Sequence, residues 1–106
     1  MMKPFDIFIA YISWGSGGKN RPVLVVLFDD DSVSAYPVTT QYETKSESVR
    51  AGYFKINDWP QAGLDRQSYV DTGNLLSLPL VAISSKESIG TLTIADKKRL
   101  IEFLST

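Results

Sequence analysis

The chain contains neither cysteine nor histidine. Those two absences remove a zinc site of the usual thiolate and imidazole kind, a thiol nucleophile and an imidazole general base. Any catalysis then rests on Arg, Lys, Tyr, Ser, Thr or carboxylates. An excess of cations is missing too: 11 Lys and Arg stand against 12 Asp and Glu, for a net charge of −1, so nothing pulls the whole molecule toward nucleic acid. No apolar run reaches the roughly 18 residues a membrane helix needs, and Met1-Met2-Lys3-Pro4 is not a basic-then-apolar secretory opening. The expectation is a cytoplasmic chain off the membrane. Internal repeats, low-complexity segments and linkers are also lacking, so residues 1–106 are expected to form a single domain.

What is present begins with Trp14–Val26, WGSGGKNRPVLVV. Glycines running into a lysine suggest a phosphate-cradling loop, G-x-x-x-x-G-K-[ST], followed by a helix. That reading fails three times. Asn20 stands where the hydroxyl residue belongs, Ser13 where the first glycine belongs, and Pro22-Val23-Leu24-Val25-Val26 favours a strand. What is left is a flexible loop, Ser13 to Asn20, that delivers Arg21 to the mouth of a strand. Local charge adds to this: Lys19 and Arg21 flank the glycines, Lys45, Arg50 and Lys55 lie further on, and Asp29-Asp30-Asp31 form an acidic turn.

The rest of the pattern is mostly strand. Asp6 to Ile12 is aromatic and β-branched, and with Pro22 to Phe28 it reads as a hairpin with a long, mobile connection. Ser32 to Thr39 is the next strand, its Pro37 pointing to a strand end or edge. Glu43 to Ser48 reads as loop, Val49 to Ile56 as a strand, Asn57 to Gly63 as a turn cluster, and Ser68 to Thr72 and Leu78 to Ser84 as short strands. The ending differs. Thr93-Ile94-Ala95-Asp96 matches a capping box with Asp for Glu, and Ile94, Leu100, Ile101 and Leu104 share one helical face. Short strands followed by one helix predict a small, curved antiparallel sheet or partly open barrel with the helix laid against it.

FDIFIAYI, a glycine stretch into NRPVLVV, YPVTTQ, GLDRQSYVDTGNLLSL and IGTLTIADKKRLIEFL occur in an order that resembles the MazF/PemK-like toxins of bacterial toxin–antitoxin modules. The Arg-Pro after the glycines and the Thr-Thr-Gln at a strand end carry the resemblance most sharply, and it covers nearly the whole chain. It implies a mainly β fold with a C-terminal α-helix, an SH3-like partly open barrel of the PemK and CcdB type. It also implies a metal-independent, cofactor-free, homodimeric endoribonuclease that cuts single-stranded RNA and is silenced by a cognate antitoxin folding over the glycine stretch.

By the same resemblance Arg21 and Thr39 fall on the catalytic arginine and threonine. The residue types suit the reaction, since attack by the RNA's 2′-hydroxyl builds negative charge on phosphorane oxygens and a guanidinium offers two parallel donors to them. An arginine is a poor general base, and the base stays open. Lys19, Thr40, Gln41, Ser68 and Asn74 complete the expected substrate contacts. Trp14 and Tyr42 read either as stackers of unpaired bases or as hydrophobic anchors and antitoxin contacts, and Trp59 and Tyr69 as core or dimer-seam residues. Two departures stand out: GSGGKN lacks the Glu-Gln pair common before the Arg-Pro, and Leu76 stands where several relatives carry a cation. Both bear on affinity and sequence preference, because phosphate contacts position a strand and base contacts specify it. Two rivals share the barrel: a CcdB-like toxin that binds a protein such as gyrase, and a non-toxic SH3-like binding module.

Overall fold

The computed structural model describes residues 2–85 and 87–106; Met1, part of the opening read for a leader, lies outside them. Among the described residues there are seven strands: β1 (Asp6–Trp14), β2 (Gly17–Phe28), β3 (Ser32–Thr39), β4 (Tyr53–Lys55), β5 (Tyr69–Asp71), β6 (Leu76–Pro79) and β7 (Gly90–Thr91). They pair antiparallel in the order β4-β5-β3-β2-β1-β7, with β6 also joined to β3. Helix α1 (Glu47–Arg50) is a single turn before β4, and α2 (Ile94–Leu104) closes the chain. The expected mainly β architecture with a C-terminal helix is present as a sheet curled into a half-barrel. No helix among the described residues is long and apolar enough to cross a membrane.

The curl has two sources. Val26 is an extra residue between the pairs Val25↔Ala35 and Leu27↔Ser34, a bulge that bends and twists β2. On its other flank β3 changes partner, pairing with β6 over Ser32–Ala35 and with β5 at Val38–Thr39. Pro37 sits in that gap. The strand is therefore central rather than an edge, and the proline is accommodated because the ladder on that flank is already interrupted there.

Both faces of the sheet are buried at Val23, Leu24 and Val25, which is why that part of β2 reads as a continuous apolar run rather than an alternation. One face packs Ile7, Leu24, Val38, Ile56, Val70, Leu92 and Leu100 under α2. The other packs Phe8, Ala10, Val23, Val25, Val33 and Ala35, with Ile12, Leu76 and Ile83 at its margin.

Helix α2 starts where the capping pattern places it, with Thr93 Oγ1 accepting the Asp96 N–H at 3.3 Å. The Asp96 carboxylate does not turn back on the cap. Buried, it accepts the Asp58 N–H at 2.8 Å and Arg99 Nη1 at 2.6 Å, and so ties the helix to the 57–63 turns. This anchor rotates the helix away from its expected stripe. Leu100 is buried, whereas Ile94 is 72% and Ile101 52% exposed, and Phe103 instead meets Phe54 edge-on at 5.6 Å. Two expected strands are also shortened. Ser46 caps α1 by accepting the Val49 N–H at 3.4 Å, which converts the start of the Val49–Ile56 segment to helix. Further on, β6 runs Leu76–Pro79 and gives way to a 3-10 turn at Leu80–Ala82, because proline ends the ladder.

Candidate functional site

Strands β1 and β2 pair without interruption from Ile7↔Leu24 to Trp14↔Gly17. The stretch expected as a long mobile loop is thus a strand ladder closed by a two-residue turn at Gly15 and Ser16. Gly15, at φ +45°, supplies the positive φ such a turn demands. At Gly18 a Cβ would lie 2.5 Å from the Tyr11 hydroxyl, so the missing side chain is what lets that ring cross the ladder. Pairing between β2 and β3 begins only at Val23↔Pro37. Beyond Asn20, to which Ser84 Oγ still donates at 3.0 Å, β2 and its β1 partners leave the sheet as a two-stranded ribbon.

Arg21 stands at the base of this ribbon. Continuing the register Leu24↔Tyr36, Val23↔Pro37 by two residues sets Arg21 opposite Thr39, and directly opposed residues of an antiparallel pair project to the same face. Two open clefts meet at this pair. The larger, about 460 Å³, is lined by Lys19, Asn20, Arg21, Thr39, Thr40, Gln41, Asp65 and Ser68 among others. The smaller, about 240 Å³, is lined by Ile12, Arg21, Pro37, Thr39, Gln41, Lys45, Tyr53, Asp71, Asn74 and Leu76. Arg21, Thr39 and Gln41 belong to both and mark their boundary.

The polar groups at that boundary are left with capacity. Ion pairs among the described residues are Lys3–Asp6, Arg66–Asp65 and Arg99–Asp96, and Arg21 takes part in none. Thr39 Oγ1 accepts the Gln41 N–H at 3.0 Å, which fixes the hydroxyl and leaves its proton to be donated elsewhere. Burial, and next the Asp71 carboxylate, push the Tyr53 phenol pKa above its ordinary value. It therefore remains a protonated donor at neutral pH.

Of the residues singled out in the sequence, Arg21, Thr39, Lys19, Thr40, Gln41 and Ser68 come together around the larger cleft and Asn74 enters the smaller one. Ser68 is buried, its hydroxyl donating to the Arg66 carbonyl at 3.0 Å. Trp14 is not brought to either lining; it stands at the ribbon tip, 53% exposed. Tyr42 is held away as well, stacked on Tyr69 at 4.4 Å with the Arg50 guanidinium 5.4 Å from its ring centroid. Trp59 packs against the α2-side core.

Tyr53, Asp71 and Lys45 line the smaller cleft; the sequence reading named Lys45 only among scattered cations and did not single out Tyr53 or Asp71. Leu76 does occupy this wall without a charge, but Lys45 brings a cation to the same cleft from the segment after β3. Only the pairing of β5 with both β3 and β4 gathers these positions; no local spacing signals it.

No family model matches the chain, and no curated protein matches it. Solved structures do. Among them is the Mycobacterium tuberculosis toxin MazF-mt6, 23% identical, with 94% of this chain and 92% of that one covered and a TM-score of 0.71. The chain has the fold of a MazF toxin, the half-barrel with a closing helix that the sequence resemblance implied.

Proposed function

We propose that the protein is a metal-independent endoribonuclease toxin that cuts single-stranded RNA in the cytoplasm and is neutralised by a cognate antitoxin. The observation that carries this reading is Arg21, a guanidinium that makes no ion pair among the described residues and lies with Thr39 at the meeting of two clefts. An RNA backbone laid along the clefts brings one phosphate to their boundary. Attack by the 2′-oxygen on that phosphorus, its proton passing to water, forms a 2′,3′-cyclic phosphate and expels the 5′-oxygen, which takes a proton from water and leaves as a 5′-hydroxyl; the path runs through a phosphorane with two charged non-bridging oxygens. Arg21 donates in parallel to those oxygens, and the free Thr39 proton supplies a further bond. Donors fixed before the charge develops are worth more than donors that must reorganise. Lys19 lies further along the larger cleft, where it would meet a flanking phosphate.

In this reading the antitoxin is a short acidic chain folding onto the ribbon and the clefts, competing with RNA for the same cations. Two copies of the toxin pair with two-fold symmetry. Exposed Ile94, Ile101 and Val81 offer apolar surface for such a contact, and light scattering at micromolar concentration reads the mass. The deciding experiment is incubation of the purified protein with a long RNA in EDTA, with the ends mapped. Cuts at a short recurring motif, with 2′,3′-cyclic phosphate ends, are expected. Intact RNA would overturn the reading in favour of a binding module on the same fold.

A further inference from the structure

The smaller cleft differs in kind from the larger one. Its walls include the apolar side chains of Ile12, Pro37 and Leu76, which suit the faces of a flat ring rather than a hydrated phosphate. Besides Arg21, Thr39 and Gln41 of the boundary, and Tyr53 and Asn74, its lining holds two groups of opposite kind: the Lys45 ammonium is a donor only, and the Asp71 carboxylate an acceptor only. Asp71 Oδ1 already receives the Gly73 N–H at 3.2 Å, a bond that orients the carboxylate and leaves Oδ2 and a second lone pair of Oδ1 open. Among the described residues its only ties are thus local, and no cation pairs with it.

In unpaired RNA the Watson–Crick edge of a base is available to protein. Guanine presents an acceptor, O6, beside two donors, N1–H and the N2 amino group. Uracil interposes one donor between two acceptors, so its carbonyls would face the carboxylate. Cytosine and adenine turn a ring-nitrogen lone pair toward the same place and offer it a single amino group.

We propose that the cleft bounded by Ile12, Pro37, Leu76 and Tyr53 is a guanine-specificity subsite, with Asp71 accepting from N1–H and the N2 amino group and Lys45 donating to O6. The inference rests on reading the adjoining boundary as an RNA phosphate site. It assigns sequence selection to Asp71 and Lys45, whereas Arg21 and Thr39 handle the phosphate. Tyr53, whose phenol stays protonated beside Asp71, closes the wall behind the base.

The test is binding by fluorescence anisotropy of short oligouridines carrying one central guanosine, inosine or adenosine. All are made with 2′-fluoro sugars, which cannot attack the phosphate. Inosine lacks only the N2 amino group. Because a hydrogen bond to a charged acceptor is the one lost, the guanosine oligomer is expected to bind roughly tenfold or more tighter than the inosine one. Asp71→Asn is expected to erase that ratio, and Lys45→Met to weaken both oligomers while preserving it. The inosine comparison needs only the unaltered protein, so it stands even where a variant folds poorly. Equal affinities for guanosine and inosine, a ratio that survives in a folded Asp71→Asn variant, or no binding of any oligomer would overturn the proposal. RNA cutting without guanine discrimination would remove the subsite and keep the nuclease; discrimination without cutting would do the reverse.

Discussion

On α2, Arg99 donates to Asp96 at 2.6 Å and to the Lys55 carbonyl at 3.2 Å, and lies 4.7 Å from the Phe54 ring centroid. At the base of the hairpin ribbon, Arg21 lies with Thr39 at the boundary of two clefts and makes no ion pair among the described residues. The surroundings of Arg99 engage its Nη1 twice and fasten a helix to the sheet, whereas Arg21 stands in a cleft wall with no ion pair among the described residues. A side chain bound to internal partners holds structure. One left without an ion pair in a cleft wall keeps donors free for solvent or a ligand.

The sharpest way to break this contrast is to remove each guanidinium in turn. Arg21→Ala is expected to lower RNA cleavage by roughly 10²–10³-fold, the size of one preorganised donor to a developing oxyanion, with the thermal melt unchanged. Lysine at position 21 should restore only part of the rate, because a point charge lacks the planar fork. Arg99→Ala should show the opposite pattern, an earlier melt with the rate per folded molecule preserved. Wild-type cleavage by Arg21→Ala would end its assignment to the phosphate.

The next effect tests the structural half. Asp96→Ala removes the acceptor of the Asp58 N–H and of Arg99, and a denaturant titration should show a loss of about 2–3 kcal/mol, the cost of stranding buried donors. An unchanged midpoint would mean that packing of Leu100 and Phe103 alone holds α2. Smaller again is Thr39→Val, expected to slow cleavage by roughly tenfold through the loss of one hydrogen bond to a charged oxygen, while Thr39→Ser keeps most of the rate.

The smallest effect extends the contrast to a carboxylate satisfied at the surface. Asp29 Oδ1 accepts the Asp31 and Ser32 N–H groups, each at 2.8 Å, and these bonds lower its pKa from the ordinary 3.8. A lowered folded-state pKa gives stability that is present above 3.8 and lost as pH falls through the folded value. Asp29→Ala should therefore melt slightly below the parent at neutral pH, and the gap should close below pH 3.8. A gap independent of pH would trace the loss to the turn's backbone instead.

The parts of this arrangement legible in the sequence were those set by neighbours along the chain. The bounds of β3, the Thr93 cap and the acidic turn each follow from residues within a few positions, and the Arg-Pro and Thr-Thr-Gln segments carried the resemblance that placed Arg21 and Thr39. What escaped depends on distant partners. Glycines that read as a loop serve in a ladder because Tyr11 needs room across from Gly18. Pro37 lies inside a central strand because two other strands happen to divide its flank. The face of α2 is chosen by a turn some 38 residues earlier, through the Asp58–Asp96 bond. Asp71, Lys45 and Tyr53 share a cleft only after β5 has joined β3 to β4.

The ribbon has a mechanical consequence. It is a cantilever whose fixed end lies where β3 joins the ladder at Val23, two residues from Arg21, and whose free end carries Trp14 out into solvent. At roughly 3.3 Å per strand residue Gly15 stands about 16 Å from Arg21 along the ribbon, so a pivot of about 10° at the base carries the tip through about 3 Å. The guanidinium, close to the fulcrum, scarcely moves in the same swing. An exposed aromatic ring at the tip can thus sweep a wide arc while the guanidinium at the base keeps its place beside the two clefts.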